Sequence, residues 1–129
     1  MIQMGGPITL ADGSELPLSA GIVCGETVYL SGQLGLVEGK IVAGGIVEQT
    51  TAVLDNIERL LGSVDLTLAD VCKATIWLVD EQDFSAFNAT YAARFGRPYP
   101  ARSAVVSRLV IPGALVEIEV VASALGKKG

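Results

Sequence analysis

Histidine is absent from the 129 residues of this chain. That alone removes Ser-His-Asp and Cys-His catalysis, imidazole acid–base work and His-ligated metal sites. Any chemistry must come from carboxylates, Arg, Lys, Tyr, Ser or Cys. Cysteine is scarce too: Cys24 and Cys72 have neither metal-ligand spacing nor a C-x-x-C arrangement, so they read as small buried hydrophobes in a reducing compartment. No apolar run approaches the ~18 residues that a membrane span needs. Met1-Ile2-Gln3-Met4-Gly5-Gly6 has neither the basic nor the apolar region of a secretory signal, and the expected address is the cytoplasm. Positive charge is in deficit, with 9 Lys+Arg against 14 Asp+Glu and a net charge of -5. Nucleic acid is disfavoured as the main partner, because clustered cations are what hold a polyanion. Lys127-Lys128 is only a short tail.

What is abundant is apolar surface. Half of the residues are hydrophobic and 18% are charged, enough for one packed core and too apolar for a disordered chain. The length suits one domain. With no linker, charge block or internal repeat, residues 1–129 read as a single domain.

Ile22–Cys24 and Thr27–Ser31 are short β-like runs around Gly25-Glu26, where Gly supplies the positive φ of a tight hairpin. A turn near residues 37–39 leads to a short strand near 40–42. From Ile46, the residues Thr50, Val53, Leu54, Ile57, Leu60 and Leu61 recur at helical spacing opposite Glu48, Gln49, Asp55, Glu58 and Arg59. Gly62 reads as the stop. Residues 71–79 switch to period two, with Cys72, Ala74, Ile76 and Leu78 on the apolar side. Residues 80–83 form a turn able to cap a second helix, which runs to Phe95 with Phe84, Phe87, Tyr91 and Phe95 as its apolar stripe and ends at Gly96 and Pro98. Strands near 103–110 and 115–124, joined through Pro112-Gly113, complete the order. On the last of them Val116, Ile118, Val120 and Ala122 suit a helix-covered side. The pattern is α+β, two layers, with two helices on one face of a mixed sheet. The other face carries Lys73, Thr75, Trp77 and Val79 with Leu115, Glu117, Glu119, Val121 and Ser123, too apolar a mixture to be left wholly to water, and a further subunit is expected to cover it.

Four positions carry candidate chemistry. Arg102, stiffened by Pro98 and Pro100 at the start of a strand, is either a surface cation or a guanidinium fork for a small carboxylate. Glu117 is a solvated carboxylate, a partner for Arg102 or Arg108, or an acid–base and water-orienting group. Asn88 falls within an apolar helical stripe and must bond backbone, a neighbouring subunit or a ligand. Ser31-Gly32-Gln33 closes a strand and is either turn chemistry or a cradle of hydroxyl and backbone N–H groups for an anion.

These residues resemble the RidA/YjgF/YER057c/UK114 family of reactive-imine deaminases. The resemblance runs through Ser31-Gly32-Gln33, Gln49, Leu54-Asp55-Asn56, 70–75 (DVCKAT), Leu78-Val79-Asp80, Asp83-Phe84, Asn88-Ala89-Thr90-Tyr91, Pro100-Ala101-Arg102-Ser103 and Val116-Glu117-Ile118-Glu119. It covers nearly everything from Pro17 onward. It implies a fold similar to that of the trimeric class of chorismate mutase and a homotrimer with sites between subunits. The implied reaction is cofactor-free hydrolysis of 2-aminoacrylate and related enamine or imine acids to 2-oxo acids and ammonia. By resemblance Arg102 binds the carboxylate, Glu117 holds or activates water, and Ser31, Gly32 and Asn88 line the cleft. This chain departs from the family where Leu18 follows Pro17 in place of a common Tyr, and where Ala104 stands in place of a common Cys. The loop 36–45 is also short. Leu18 gives the cleft an apolar wall, so substrate choice, or activity itself, is expected to differ from the main branch. The alternatives are a non-catalytic trimer binding small carboxylates or a protein partner, and an endoribonuclease or translation inhibitor, which the acidic balance opposes.

Overall fold

The structure, a computed structural model, describes residues 1–125; the Lys127-Lys128 tail lies outside them. Along the chain run β1 (Ile2–Met4), β2 (Gly21–Cys24), β3 (Thr27–Leu30), β4 (Gln33–Leu34), β5 (Leu36–Val37), β6 (Lys40–Ile41), α1 (Ile46–Gly62), β7 (Val71–Leu78), α2 (Phe84–Phe95), β8 (Ala101–Val106) and β9 (Val116–Ser123). The main sheet has the order β1-β2-β3-β9-β7-β8, with β4 also pairing β9, while β5 and β6 form a separate hairpin. β7 and β8 are parallel and the crossover between them is α2; the other pairings are antiparallel. The sheet is therefore mixed, as the alternation of strands and helices predicts.

Both helices pack on the same side. Val53, Leu54, Ile57 and Leu61 of α1 and Phe87 and Tyr91 of α2 join Ala74, Ile76 and Leu78 of β7 and Val116, Ile118, Val120 and Ala122 of β9 in one buried cluster. Each large side chain fully buried in this way contributes about 1.5–3 kcal/mol. Arg94 of α2 reaches Asp55 and Glu58 of α1 at 2.9 and 3.1 Å, but these carboxylates are exposed and add little to the packing. Gln49 is buried and uses both ends of its amide. Its Nε2 donates to the Gly113 carbonyl at 2.9 Å and its Oε1 accepts from the Leu115 N–H at 2.8 Å. One helical side chain thus anchors the loop that delivers β9.

Several expectations change. A register shift between Val71 and Lys73 sends Val71 to the core and leaves Cys72 exposed, its thiol donating to the Val121 carbonyl at 3.3 Å. A bulge moves the side chain that follows it to the other face, which strict alternation hides. Cys24 is also exposed, so neither thiol is a core group. β8 occupies 101–106, not 103–110, because its partner β7 ends at Leu78 and leaves the later residues nothing to pair. Gly62 lies inside α1, and the positive φ after the helix, 61°, belongs to Asp65. At Gly25 the hairpin does have its positive φ, 62°. β1, β4 and β5 fall in segments too short for periodicity to reveal. Among the described residues no helix is long and apolar enough to cross a membrane.

Candidate active site

Asp80 accepts the Gln82 N–H at 2.9 Å and caps the 3-10 turn 81–83 that feeds α2. Helical spacing then stacks Phe84, Phe87, Asn88 and Tyr91 on one flank. Against that flank lies Arg102. Its register partner across the parallel pair is buried Ala74, so it points to the helix side of the sheet. The guanidinium carbon sits 5.0 Å from the Tyr91 ring centroid, 5.6 Å from Phe84 and 5.8 Å from Phe87. Its Nη2 donates to Asn88 Oδ1 at 2.6 Å. The oxygen of the amide in the apolar stripe thus finds its partner in the guanidinium beside it. Aromatic faces hold the planar fork in place without consuming its other donors.

β8 pairs only with β7 and is an edge strand, which leaves Arg102 half-buried at the rim. A hollow of about 280 Å³ opens beside it, lined by Asn88, Tyr91, Ala92, Tyr99, Pro100 and Arg102. Burial pushes the Tyr91 phenol pKa up while the Arg102 charge pulls it down. Its hydroxyl is buried with no hydrogen-bond partner among the described residues. Phe84, expected in the buried stripe, is 43% exposed. It lines a second hollow with Ala104, whose register partner Ile76 puts it on the Arg102 side.

Glu117 is elsewhere. It pairs with Trp77 and alternates with buried Val116 and Ile118, so it rises from the uncovered face of the sheet, opposite to Arg102. It is half-buried in a hollow of about 210 Å³ with Trp77, Ser107, Arg108, Leu109 and Val110, yet it makes no ion pair with Arg102 or Arg108. Burial raises the Glu117 carboxyl pKa above the ordinary 4.5, and the Glu119 carboxylate on the same strand face raises it further. Both effects favour a group able to exchange a proton nearer neutrality.

Gly32 touches the Glu117 carboxylate so closely that a Cβ there would run into it. With Ser19, Ser31, Tyr29 and Glu119 it lines a hollow of about 390 Å³ on the same face. The Ser31 hydroxyl donates to the Ser19 carbonyl at 2.5 Å, which spends its proton and leaves it an acceptor. Leu18 is exposed on the segment leading to Ser19. Gly32 has no positive φ, so Gly32→Ala is expected to act through collision with Glu117 alone. Unfolding stability should drop by about 1–3 kcal/mol, read from denaturant titration.

The predicted residues thus form two groups within one chain. Arg102, Asn88 and Ala104 lie on the helix side at the free edge, whereas Glu117, Gly32 and Ser31 lie on the open face. Phe84, Tyr91 and Tyr99 escaped the sequence reading as site residues, since aromatic helical spacing reads as core. The only signal for Tyr99 was its place between Pro98 and Pro100.

Residues 11–124 match the family model described as Endoribonuclease L-PSP. The 2-iminobutanoate/2-iminopropanoate deaminase of Capra hircus is 39% identical over 82% of this chain and 79% of its own length. The human protein of that name is 33% identical over 87% and 83%. A RutC family protein of Pyrococcus horikoshii reaches 42% over 82% and 86%. The crystal structure of RidA from the Antarctic bacterium Psychrobacter sp. PAMC 21119 superposes with a TM-score of 0.83 at 31% identity, covering 95% of this chain and 99% of that one. The α+β fold with its two helices and mixed sheet, the pattern of motifs and these matches agree: the chain belongs to the Endoribonuclease L-PSP family, which includes the RidA, YjgF and UK114 proteins.

Proposed function

We propose that this chain is a cofactor-free cytoplasmic hydrolase of small enamine and imine acids, of the 2-aminoacrylate and 2-iminopropionate type, acting as a single-domain homotrimer. The observation that carries the reading is the division of the site. An aromatic-backed arginine stands at an unpaired sheet edge, and a half-buried carboxylate of raised pKa stands on an uncovered face of mixed polarity. A neighbouring copy that covers this face brings its Arg102 to the first copy's Glu117, and the cleft between them holds Ser31, Gly32 and Leu18 from one chain and Asn88 and Ala104 from the other. Relatives named 2-iminobutanoate/2-iminopropanoate deaminase, at 33–39% identity, support the choice of reaction.

The chemistry asks little of the protein. The imine carbon is already electrophilic, so placing substrate and water and moving a proton suffices. Arg102 takes the substrate carboxylate on its free guanidinium nitrogens. Glu117 accepts a proton as water oxygen bonds to the imine carbon, giving a carbinolamine. That first proton passes to the imine nitrogen to complete the carbinolamine; the same carboxylate then moves the hydroxyl proton to the nitrogen, the C–N bond breaks, and C=NH plus H2O becomes C=O plus NH3. No electron acceptor or metal enters the balance. The description of the family model names an endoribonuclease; against that activity here stand the net charge of -5 and the lack of a basic stripe.

The test generates 2-iminopropionate in situ with an amino-acid oxidase acting on alanine and follows 2-oxo acid and ammonia. Rates well above the uncatalysed hydrolysis, carried by an oligomer in sedimentation, are the expected outcome. An uncatalysed rate at every enzyme concentration would leave the carboxylate-binding alternative.

A further inference from the structure

2-Iminopropionate carries only a methyl group beyond its reacting centre, yet the hollow beside Arg102 measures about 280 Å³, near the lower end of the ~300–1,000 Å³ usual for much larger ligands. Apart from Arg102 and Asn88 its walls are Tyr91, Ala92, Tyr99 and Pro100. Among the described residues no charged group other than Arg102 lines it, so nothing there favours a polar substrate side chain. Arg97 lies with its guanidinium carbon 5.4 Å from the Tyr99 ring centroid and braces that ring from outside the hollow. Pro98 and Pro100 on either side of Tyr99 restrict the backbone that carries it. The wall is thus preset rather than recruited by the ligand.

We propose that this hollow is a side-chain pocket, and that the preferred substrates are 2-imino acids with a branched aliphatic side chain of the leucine type, Tyr99 being the specificity-determining wall. The assignment rests on the deaminase reading for its chemistry, but the pocket itself recognises a carboxylate with an apolar tail whether or not turnover follows. Such a tail leaves water for the faces of Tyr99 and Pro100, and each added methylene in a fitted pocket is worth about tenfold or more in discrimination.

Calorimetric titration of the intact oligomer with 4-methyl-2-oxopentanoate and with pyruvate tests the pocket, since both are stable 2-oxo acids sharing the Arg102-binding group. The branched acid is expected to bind at least about tenfold more tightly. Tyr99→Ala should shrink that ratio to within about threefold, and Tyr99→Phe should preserve it, because the ring and not the hydroxyl forms the wall. Tyr99 is exposed, so its truncation spares the core; Ala92→Phe, which fills the hollow from α2, is a second variant expected to abolish the ratio. Equal affinities in the unmodified protein, or a ratio that survives both Tyr99→Ala and Ala92→Phe, overturn the proposal. Oxidase-coupled turnover of the leucine- and alanine-derived imines separates the two ideas. A binding preference without catalysed hydrolysis sinks the deaminase reading and upholds the pocket, whereas hydrolysis without preference does the reverse.

Discussion

Arg102→Ala is expected to lower kcat/KM for 2-iminopropionate by about 10²–10⁴-fold while leaving the oligomer assembled. A guanidinium fork gives a carboxylate two charge-assisted bonds of about 1.5–3 kcal/mol each, and about 1.4 kcal/mol corresponds to a factor of ten. The side chain lies at a free edge and donates to one protein group, Asn88, so its loss costs the core little. Arg102→Lys retains the charge and loses the planar fork that stacks on Tyr91, Phe84 and Phe87. It should recover no more than a small part of the activity; near-normal rates would mean simple charge attraction. Mixing supplies a sharper readout. If each site takes Arg102 from one copy and Glu117 from another, inactive Arg102→Ala and Glu117→Gln chains co-assembled in equal amounts regain roughly a quarter of the sites by random pairing. Mixed oligomers without any recovered turnover would mean that both groups act from the same chain, and the shared-cleft account would fail.

Glu117→Gln should reduce kcat by about 10²–10⁴-fold with a much smaller change in KM, the usual range for loss of a positioned proton acceptor. The Glu117 pKa is raised by burial and then by Glu119, so the acid limb of the rate profile is expected above the ordinary carboxylate range. Glu119→Gln removes one negative neighbour and should move that limb to lower pH while keeping turnover at its plateau. Stability follows with the opposite sense to catalysis. A carboxyl whose folded pKa is raised stabilises the fold at pH below its unfolded value, and this contribution fades as pH rises through the folded value. Near neutrality the ionised Glu117 therefore costs stability, and Glu117→Gln is expected to raise Tm there but not in acid, where both side chains are neutral. An activity loss coupled to a higher Tm distinguishes a functional carboxylate from a structural one. An acid limb unmoved by Glu119→Gln would remove Glu117 as the titrating group.

The long elements were legible because their patterns are redundant. Ile46 to Leu61 repeats its apolar face over four turns, and Val116 to Ala122 repeats its own over four alternations, so one irregular residue cannot change the assignment. Cys72 shows where such reading stops. One register shift carries Val71 inward and Cys72 outward, and a bulge leaves no mark in hydropathy. Phe84 fails for another reason: it has the composition of a core residue but stands in the first turn of α2, beside the free edge strand β8, where its ring is left 43% exposed. Asn88 was the most informative polar residue, since its place in an apolar stripe demanded a partner, yet nothing in its neighbourhood along the chain named Arg102.

By itself the sequence determined the chemical vocabulary and the alternation within each strand. Without histidine the available groups were carboxylates, Arg, Lys, Tyr, Ser and Cys, and the spacing of 116–122 put Glu117 opposite the helix-facing residues. It did not determine which face Arg102 would take, because a strand's two sides acquire meaning only through its neighbour. That choice was made by the parallel pairing of β7 with β8 through α2, which seats Arg102 beside buried Ala74, and by the pairing of β9 with β7, which seats Glu117 beside Trp77. A register slip of one residue in β8 would have put both on one face; their separation on opposite faces of the sheet is a property of tertiary pairing alone.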